Sequence, residues 1–308
     1  MIIMATMQTE IAGIKMKNPV MAASGTFGSG KDYEDFMNLG DIGAIIAKSI
    51  TLKPREGNPP PRICETPSGM LNTIGLQNAG IDVFLKEDLP YLAKFNIPVI
   101  VNIAGESVDE YSQLAKRLNS LPGITGIEVN ISCPNVKQGG MQFGVDPKLT
   151  SEVISAVKKA TNLPVIAKLS PNVTDIKVIA KAAESAGADA ISAINTVLGM
   201  ALDINSRRPK LSMTVGGLSG PAIRPIAVRM VNEIYRTVKV PVIGIGGIMN
   251  ADDAIEFILA GASAIQVGTG NFVNPRAAVE IAEGIKKYLI ANKLESIKDL
   301  VGQVDLGT

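Results

Sequence analysis

The sequence predicts a (β/α)₈ barrel, the TIM-barrel fold, on three observations. Short continuous apolar runs alternate eight times with longer helical patterns along the 308 residues. Apolar runs without internal alternation mark strands buried on both faces of a parallel sheet. The longest connections all follow strands, so they would gather on the face where such barrels keep their chemistry. An open doubly wound sheet is the alternative architecture for the same alternation.

The runs occupy residues 19–23, 42–48, 97–103, 124–131, 164–169, 189–194, 240–245 and 264–268. Ahead of them, residues 10–17 read as a short hairpin closing the opposite end of the barrel. Ser107-Val-Asp-Glu110 has the form of a capping box. Asp146-Pro147 and Asn274-Pro275 each place a capping side chain before a proline at the first helical position. Gly40, Gly187 and Gly261 follow helical stretches as stops. The long connections are 49–81, 132–146 and 195–220. No Pro/Ser/Gly-rich linker divides the chain, so residues 1–308 read as one domain.

Composition excludes several chemistries. There is no histidine, which removes Ser-His-Asp, Cys-His and HExxH catalysis. Two cysteines, Cys64 and Cys133, can build neither a disulfide framework nor a four-thiolate metal or iron–sulfur cage. No metal site is expected. A net charge of +1 gives no signal for nucleic acid or membrane surfaces. The N-terminus lacks a signal-peptide pattern and no apolar stretch nears the roughly 20 residues of a spanning helix. The expectation is a soluble cytoplasmic protein.

Two glycine motifs fail as nucleotide fingerprints. Gly25-Thr-Phe-Gly-Ser-Gly30-Lys31-Asp32 nearly matches a P-loop, but Asp32 stands where a Ser/Thr would hold magnesium. Gly244-Ile-Gly246-Gly247-Ile-Met249 ends in Met instead of the glycine of a dinucleotide site. Gly246-Gly247 after the seventh strand and Gly268-Thr269-Gly270 after the eighth make better sense as a phosphate cradle.

The C-terminal ends of the first six strands carry Ser24, Lys48, Asn102, Asn130, Lys168 and Asn195. Buried Lys and Asn are costly unless partnered, so the pattern describes a pocket for a planar, multiply hydrogen-bonding ligand with an anionic part. Cys133, in Asn130-Ile-Ser-Cys133-Pro-Asn135, follows the fourth strand on that face. Without histidine, its thiol is one of few bases available near neutral pH. Cys64 reads as structural.

Together the residues resemble the dihydroorotate dehydrogenase family. The resemblance rests on Ala23-Ser-Gly-Thr26, Lys48-Ser49, Asn72-Thr-Ile-Gly-Leu-Gln-Asn78, Asn130-Ile-Ser-Cys-Pro-Asn-Val136 and Lys168-Leu-Ser-Pro-Asn172. Ile194-Asn-Thr196, Gly244-Ile-Gly-Gly-Ile248 and Gln266-Val-Gly-Thr269 extend it across nearly the whole chain. Cysteine at 133 is similar to the soluble class 1 members, where class 2 carries serine. Lys137-Gln-Gly-Gly-Met-Gln-Phe-Gly144 and Asn205-Ser-Arg-Arg-Pro-Lys210 resemble the NAD-linked form, class 1B, more than the fumarate-linked one.

The resemblance implies oxidation of (S)-dihydroorotate to orotate in de novo pyrimidine synthesis, with Cys133 as base and FMN N5 as hydride acceptor. It assigns flavin contacts to Ser24, Lys48, Ser49, Asn102, Asn130, Lys168, Ile194, Gly220, Gly246, Gly247, Gly268 and Thr269. It assigns substrate contacts to Lys48, Asn72, Thr73, Ile74, Gly75, Leu76, Asn130, Asn135, Asn195 and Thr196. It also implies a partner subunit with FAD and a [2Fe-2S] cluster, and a homodimer within a two-plus-two heterotetramer. A fumarate-linked enzyme, a dihydropyrimidine dehydrogenase-like flavin enzyme and a flavin-free phosphate-binding barrel lyase or isomerase stand as alternatives.

Overall fold

Hydrophobic periodicity becomes a closed barrel in the computed structural model, which describes residues 5–132 and 143–307. The strands in chain order are β1 (Thr9–Ile11), β2 (Ile14–Met16), β3 (Val20–Ala22), β4 (Ala44–Ile50), β5 (Ile63–Thr66), β6 (Gly69–Asn72), β7 (Val99–Ile103) and β8 (Gly126–Asn130). They continue as β9 (Val165–Lys168), β10 (Ala190–Ala193), β11 (Val197–Gly199), β12 (Leu202–Asp203), β13 (Arg208–Pro209), β14 (Gly216–Ser219), β15 (Val242–Ile245) and β16 (Ala262–Val267). The helices are α1 (Ser24–Phe27), α2 (Gly80–Val83), α3 (Leu89–Leu92), α4 (Val108–Leu118), α5 (Pro147–Ala160), α6 (Ile176–Ser185), α7 (Arg224–Tyr235), α8 (Ala251–Leu259), α9 (Gly270–Val273) and α10 (Ala277–Ala291). Among the described residues, no helix is long and apolar enough to cross a membrane.

Strands β3, β4, β7, β8, β9, β10, β15 and β16 pair in parallel and close in that order. Each falls on one of the eight apolar runs, and β7 and β8 are buried at every position. The reason is that the two faces of each strand enter different cores. Outward residues such as Val101, Val129, Ala167 and Ile191 pack on the helices with Leu114, Ile154 and Ile179. Inward residues Met21, Ala44, Ile46, Ile100, Ile166, Ala190, Ile243 and Ala264 form a separate interior cluster. A strand between two apolar cores has no polar face to alternate.

The β1–β2 hairpin is present and its function in the fold is plain. Ile11, Ile14 and Met16 join the interior cluster and fill the end of the barrel where the strands begin. At the other end the first and third long connections do something the sequence did not announce. Their strands β5, β6, β14 and β11 pair into a four-stranded antiparallel sheet.

Most caps stand where expected. The Asp146 carboxylate accepts from the backbone N–H of Lys148 and Leu149 at 2.8 and 3.0 Å. We expect Asp146→Ala to lower stability by about 1 kcal/mol, read as a drop in the urea midpoint at unchanged slope. Ser107 Oγ accepts from Glu110 N at 3.2 Å, but the Glu110 carboxylate reaches back to Glu106 N at 2.7 Å, one residue before the reciprocal partner. Gly187 and Gly261 end α6 and α8 with φ of 97° and 118°. Two signals are displaced. Gly40 lies inside a 3₁₀ turn capped by Asn38 rather than ending a helix. Asn274 closes α9 and accepts from Arg276 N, so α10 begins only at Ala277.

Candidate active site

The interior side chains change character along the barrel axis. Above the apolar layer, period-two alternation brings Lys48, Asn102, Glu128, Lys168, Ser192 and Gln266 inward, one step beyond Ile46, Ile100, Gly126, Ile166, Ala190 and Ala264. Asn102, Glu128, Ser192 and Gln266 are fully buried, and Lys168 is nearly so. Lys48 and Lys168 of this layer line a cavity of about 1110 Å³ under the β5–β6–β14–β11 sheet, and the other four lie beneath its lining.

Nearly all the predicted contacts line that cavity. Ser24, Lys48, Ser49, Asn130, Lys168, Ile194, Gly220, Gly246, Gly247, Gly268 and Thr269 do so, as do Asn72, Thr73, Ile74, Gly75, Leu76, Asn195 and Thr196. Asn102 does not reach the lining; it lies beneath, donating from Nδ2 to Glu128 at 2.7 Å. Cys133 and Asn135 lie outside the described residues. Cys64 is not a buried structural thiol: it is half-exposed on β5 and faces the same cavity.

The asparagines are held by one another and by backbone. Asn195 Nδ2 donates to Asn130 Oδ1 at 3.2 Å, and the Tyr111 hydroxyl donates to the Asn130 carbonyl at 2.7 Å. Asn72 on β6 donates to Gly217 O of β14 at 3.2 Å, tying the overlying sheet together at the cavity wall. Asn172, to which no motif spacing drew attention as a support, donates to Thr196 O at 3.1 Å and accepts from Leu198 N at 2.9 Å. It pins the segment that carries Asn195 and Thr196.

The glycine end is a cradle for backbone approach. Gly246 and Gly247 have φ of 137° and 74°, and a Cβ on Gly247 would fall 2.7 Å from Gly220 O. Thr269 Oγ1 donates to Ser219 Oγ at 2.8 Å on the same side. At the floor, two lysines face the cavity in unequal settings. Lys168 Nζ sits 3.3 Å from the Glu128 carboxylate. Lys48 has no such partner among the described residues, and burial, reinforced by the Lys168 charge, pulls its pKa below the ordinary lysine value. An anion placed between them would reverse that shift.

The other large crevice, between Val145 and the Pro171–Ile179 segment, is more open and carries a single titratable group, Asp175. The P-loop near-match divides: Gly25 and Thr26 line the large cavity, while Lys31 pairs with Asp88 at 2.9 Å on the surface.

Residues 6–289 match the family model described as Dihydroorotate dehydrogenase. This chain belongs to that family. Its dihydroorotate dehydrogenase relatives include proteins named dihydroorotate dehydrogenase B (NAD(+)), catalytic subunit. The one from Citrifermentans bemidjiense is 58% identical over 97% of this chain and 98% of its own length. Those from Thermoanaerobacter sp. (strain X514) and Desulforudis audaxviator are 54% and 56% identical, covering 97% and 95% of this chain and 98% and 95% of theirs. The dihydroorotate dehydrogenase family is one of oxidoreductases.

Proposed function

We propose that this chain is one FMN-binding domain, the catalytic subunit of an NAD-linked dihydroorotate dehydrogenase that converts (S)-dihydroorotate to orotate for pyrimidine synthesis in the cytoplasm. The observation that carries the reading is a single cavity with a glycine cradle at one end and a floor of lysines and amides at the other. A flavin mononucleotide has just those two ends, a phosphate and a pyrimidine ring with several acceptors and one N–H donor.

The residues fit the group. Gly220, Gly246, Gly247, Gly268 and Thr269 would hold the phosphate, where exposed backbone N–H groups favour an anion. Lys168, Lys48 and Asn130 supply donors for the pyrimidine oxygens. Beneath the lining, Asn102 Oδ1 and Gln266 Oε1 are buried acceptors with no partner among the described residues. Bound FMN supplies the two-electron acceptor.

The chain does the rest. Asn72, Asn130, Asn135 and Asn195 suit a cyclic urea, because each amide offers a donor and an acceptor from one side chain. Thr196 and the backbone of residues 73–76 complete the pocket, and Lys48 offers a positive charge between the two ligands. Cys133 takes the C5 proton, a task for which a thiol of pKa near 8.5 is matched to neutral pH. Electrons leave through a partner subunit carrying FAD and a [2Fe-2S] cluster, two copies of each chain in the assembly.

The test is anaerobic titration of the purified chain with dihydroorotate. A flavin band near about 450 nm that bleaches stoichiometrically is expected. A colourless protein, or bleaching by dihydrouracil in preference, would overturn the reading. The cradle can be tested separately. Gly247→Ala forces the loop off Gly220 O and should weaken FMN retention on the order of tenfold, equivalent to about 1.4 kcal/mol, measured by flavin fluorescence.

A further inference from the structure

Among the described residues, Glu128 is the one acidic side chain in the polar floor, and neither motif spacing nor the cavity lining draws attention to it. Its carboxylate is fully buried inside the barrel. An isolated carboxylate there would be strongly unfavourable, so its partners are the informative part. Four donors converge on it from four different strands. Oε1 accepts from Asn102 Nδ2 at 2.7 Å and faces Lys168 Nζ at 3.3 Å. Oε2 accepts from Gln266 Nε2 at 2.7 Å and from Ser192 Oγ at 2.9 Å.

A carboxylate accepts only, so the amide atoms facing it must be nitrogens. That fixes both amides and leaves Asn102 Oδ1 and Gln266 Oε1 without partners among the described residues. Each unpaired buried acceptor carries its full desolvation penalty, which a purely structural knot has no reason to bear. The same carboxylate sets where the Lys168 ammonium rests and offsets one of the two lysine charges on the floor. Lys48 is left without a counter-charge among the described residues.

We infer that Glu128 is a positioning residue for the flavin: it orients Lys168 toward the pyrimidine ring, holds Asn102 beneath the cavity and tempers the positive field there, setting the cofactor's electron affinity. The inference rests on the FMN reading of the cavity. The residue never touches the ligand; it acts through the side chains it holds.

The experiment measures the midpoint potential and the FMN dissociation constant of the loaded full-length chain. Flavin content of the unsubstituted protein comes first, since its absence overturns the functional reading itself. Glu128→Gln keeps the shape and removes the charge. It should favour the reduced over the oxidised flavin by at least tenfold, about 30 mV for a two-electron couple. Ser192→Ala removes a donor and keeps the charge, so its potential should move by less than threefold in the same ratio. Equal shifts in the two variants, or none in Glu128→Gln, would overturn the inference and leave Glu128 as a structural knot. If Glu128→Gln does not fold, Lys168→Met and the Lys168→Met/Glu128→Gln double variant decide. Lys168→Met alone leaves the carboxylate without its cation and should lower the potential. The double variant should recover most of that loss, and identical potentials in the two would overturn the inference.

Discussion

Cys133→Ala is expected to keep its flavin and lose its reaction. Reduction of bound FMN by dihydroorotate should slow by about 10²–10⁴-fold, the usual contribution of a general base. With histidine absent, no imidazole is available as a substitute. Cys64, the cavity-lining thiol among the described residues, is on β5 of the overlying sheet, a different strand system from β8, which ends at Asn130. Cys133→Ser should retain slight activity that rises with pH, because a hydroxyl is the poorer base. Stopped-flow mixing under anaerobic conditions reads the step directly. A near-normal rate in the alanine variant would remove Cys133 from the mechanism.

The second large effect concerns the acceptor. The isolated chain should reduce dyes or oxygen with dihydroorotate while forming little NADH. The only candidate dinucleotide fingerprint, at Gly244–Met249, is used up in the cradle: Gly246 and Gly247 both line the cavity beside Gly268 and Thr269. Adding the proposed partner subunit should restore NAD reduction, since the cluster proposed for it would pass single electrons between two flavins. Steady-state assays with and without the partner check this. Rapid NADH formation by the single chain would overturn it, and efficient turnover with fumarate would move the protein to the fumarate-linked form.

The barrel was legible because its strands are apolar on both faces, a pattern that demands cover on two sides at once. The site was legible wherever a polar residue ended an apolar run, as at Lys48, Asn130 and Lys168. Glu128 was hidden for a related reason. It sits two residues inside β8, where one charge in a strand reads as a solvent-facing position. Only the register of Asn102 with Glu128 and of Asn130 with Lys168 turns it inward. The overlying sheet was hidden by distance: Leu71 pairs with Leu218, and no local turn announces that contact. Cys64 was misjudged with it, because its exposure depends on which side of that sheet covers the cavity. Asn102 lies beneath the lining because its amide is turned onto Glu128, a partner on the neighbouring strand that no motif spacing announces.

The hairpin in the bottom of the barrel makes the interior a blind well. With Ile11, Ile14 and Met16 packed across that end, the cavity among the described residues lies at the other end of the strands. On the proposed reading, spent product and fresh reactant would share that end in turn. Accumulating orotate should then act as a rival for the vacant seat, raising the apparent KM for dihydroorotate without lowering the limiting rate.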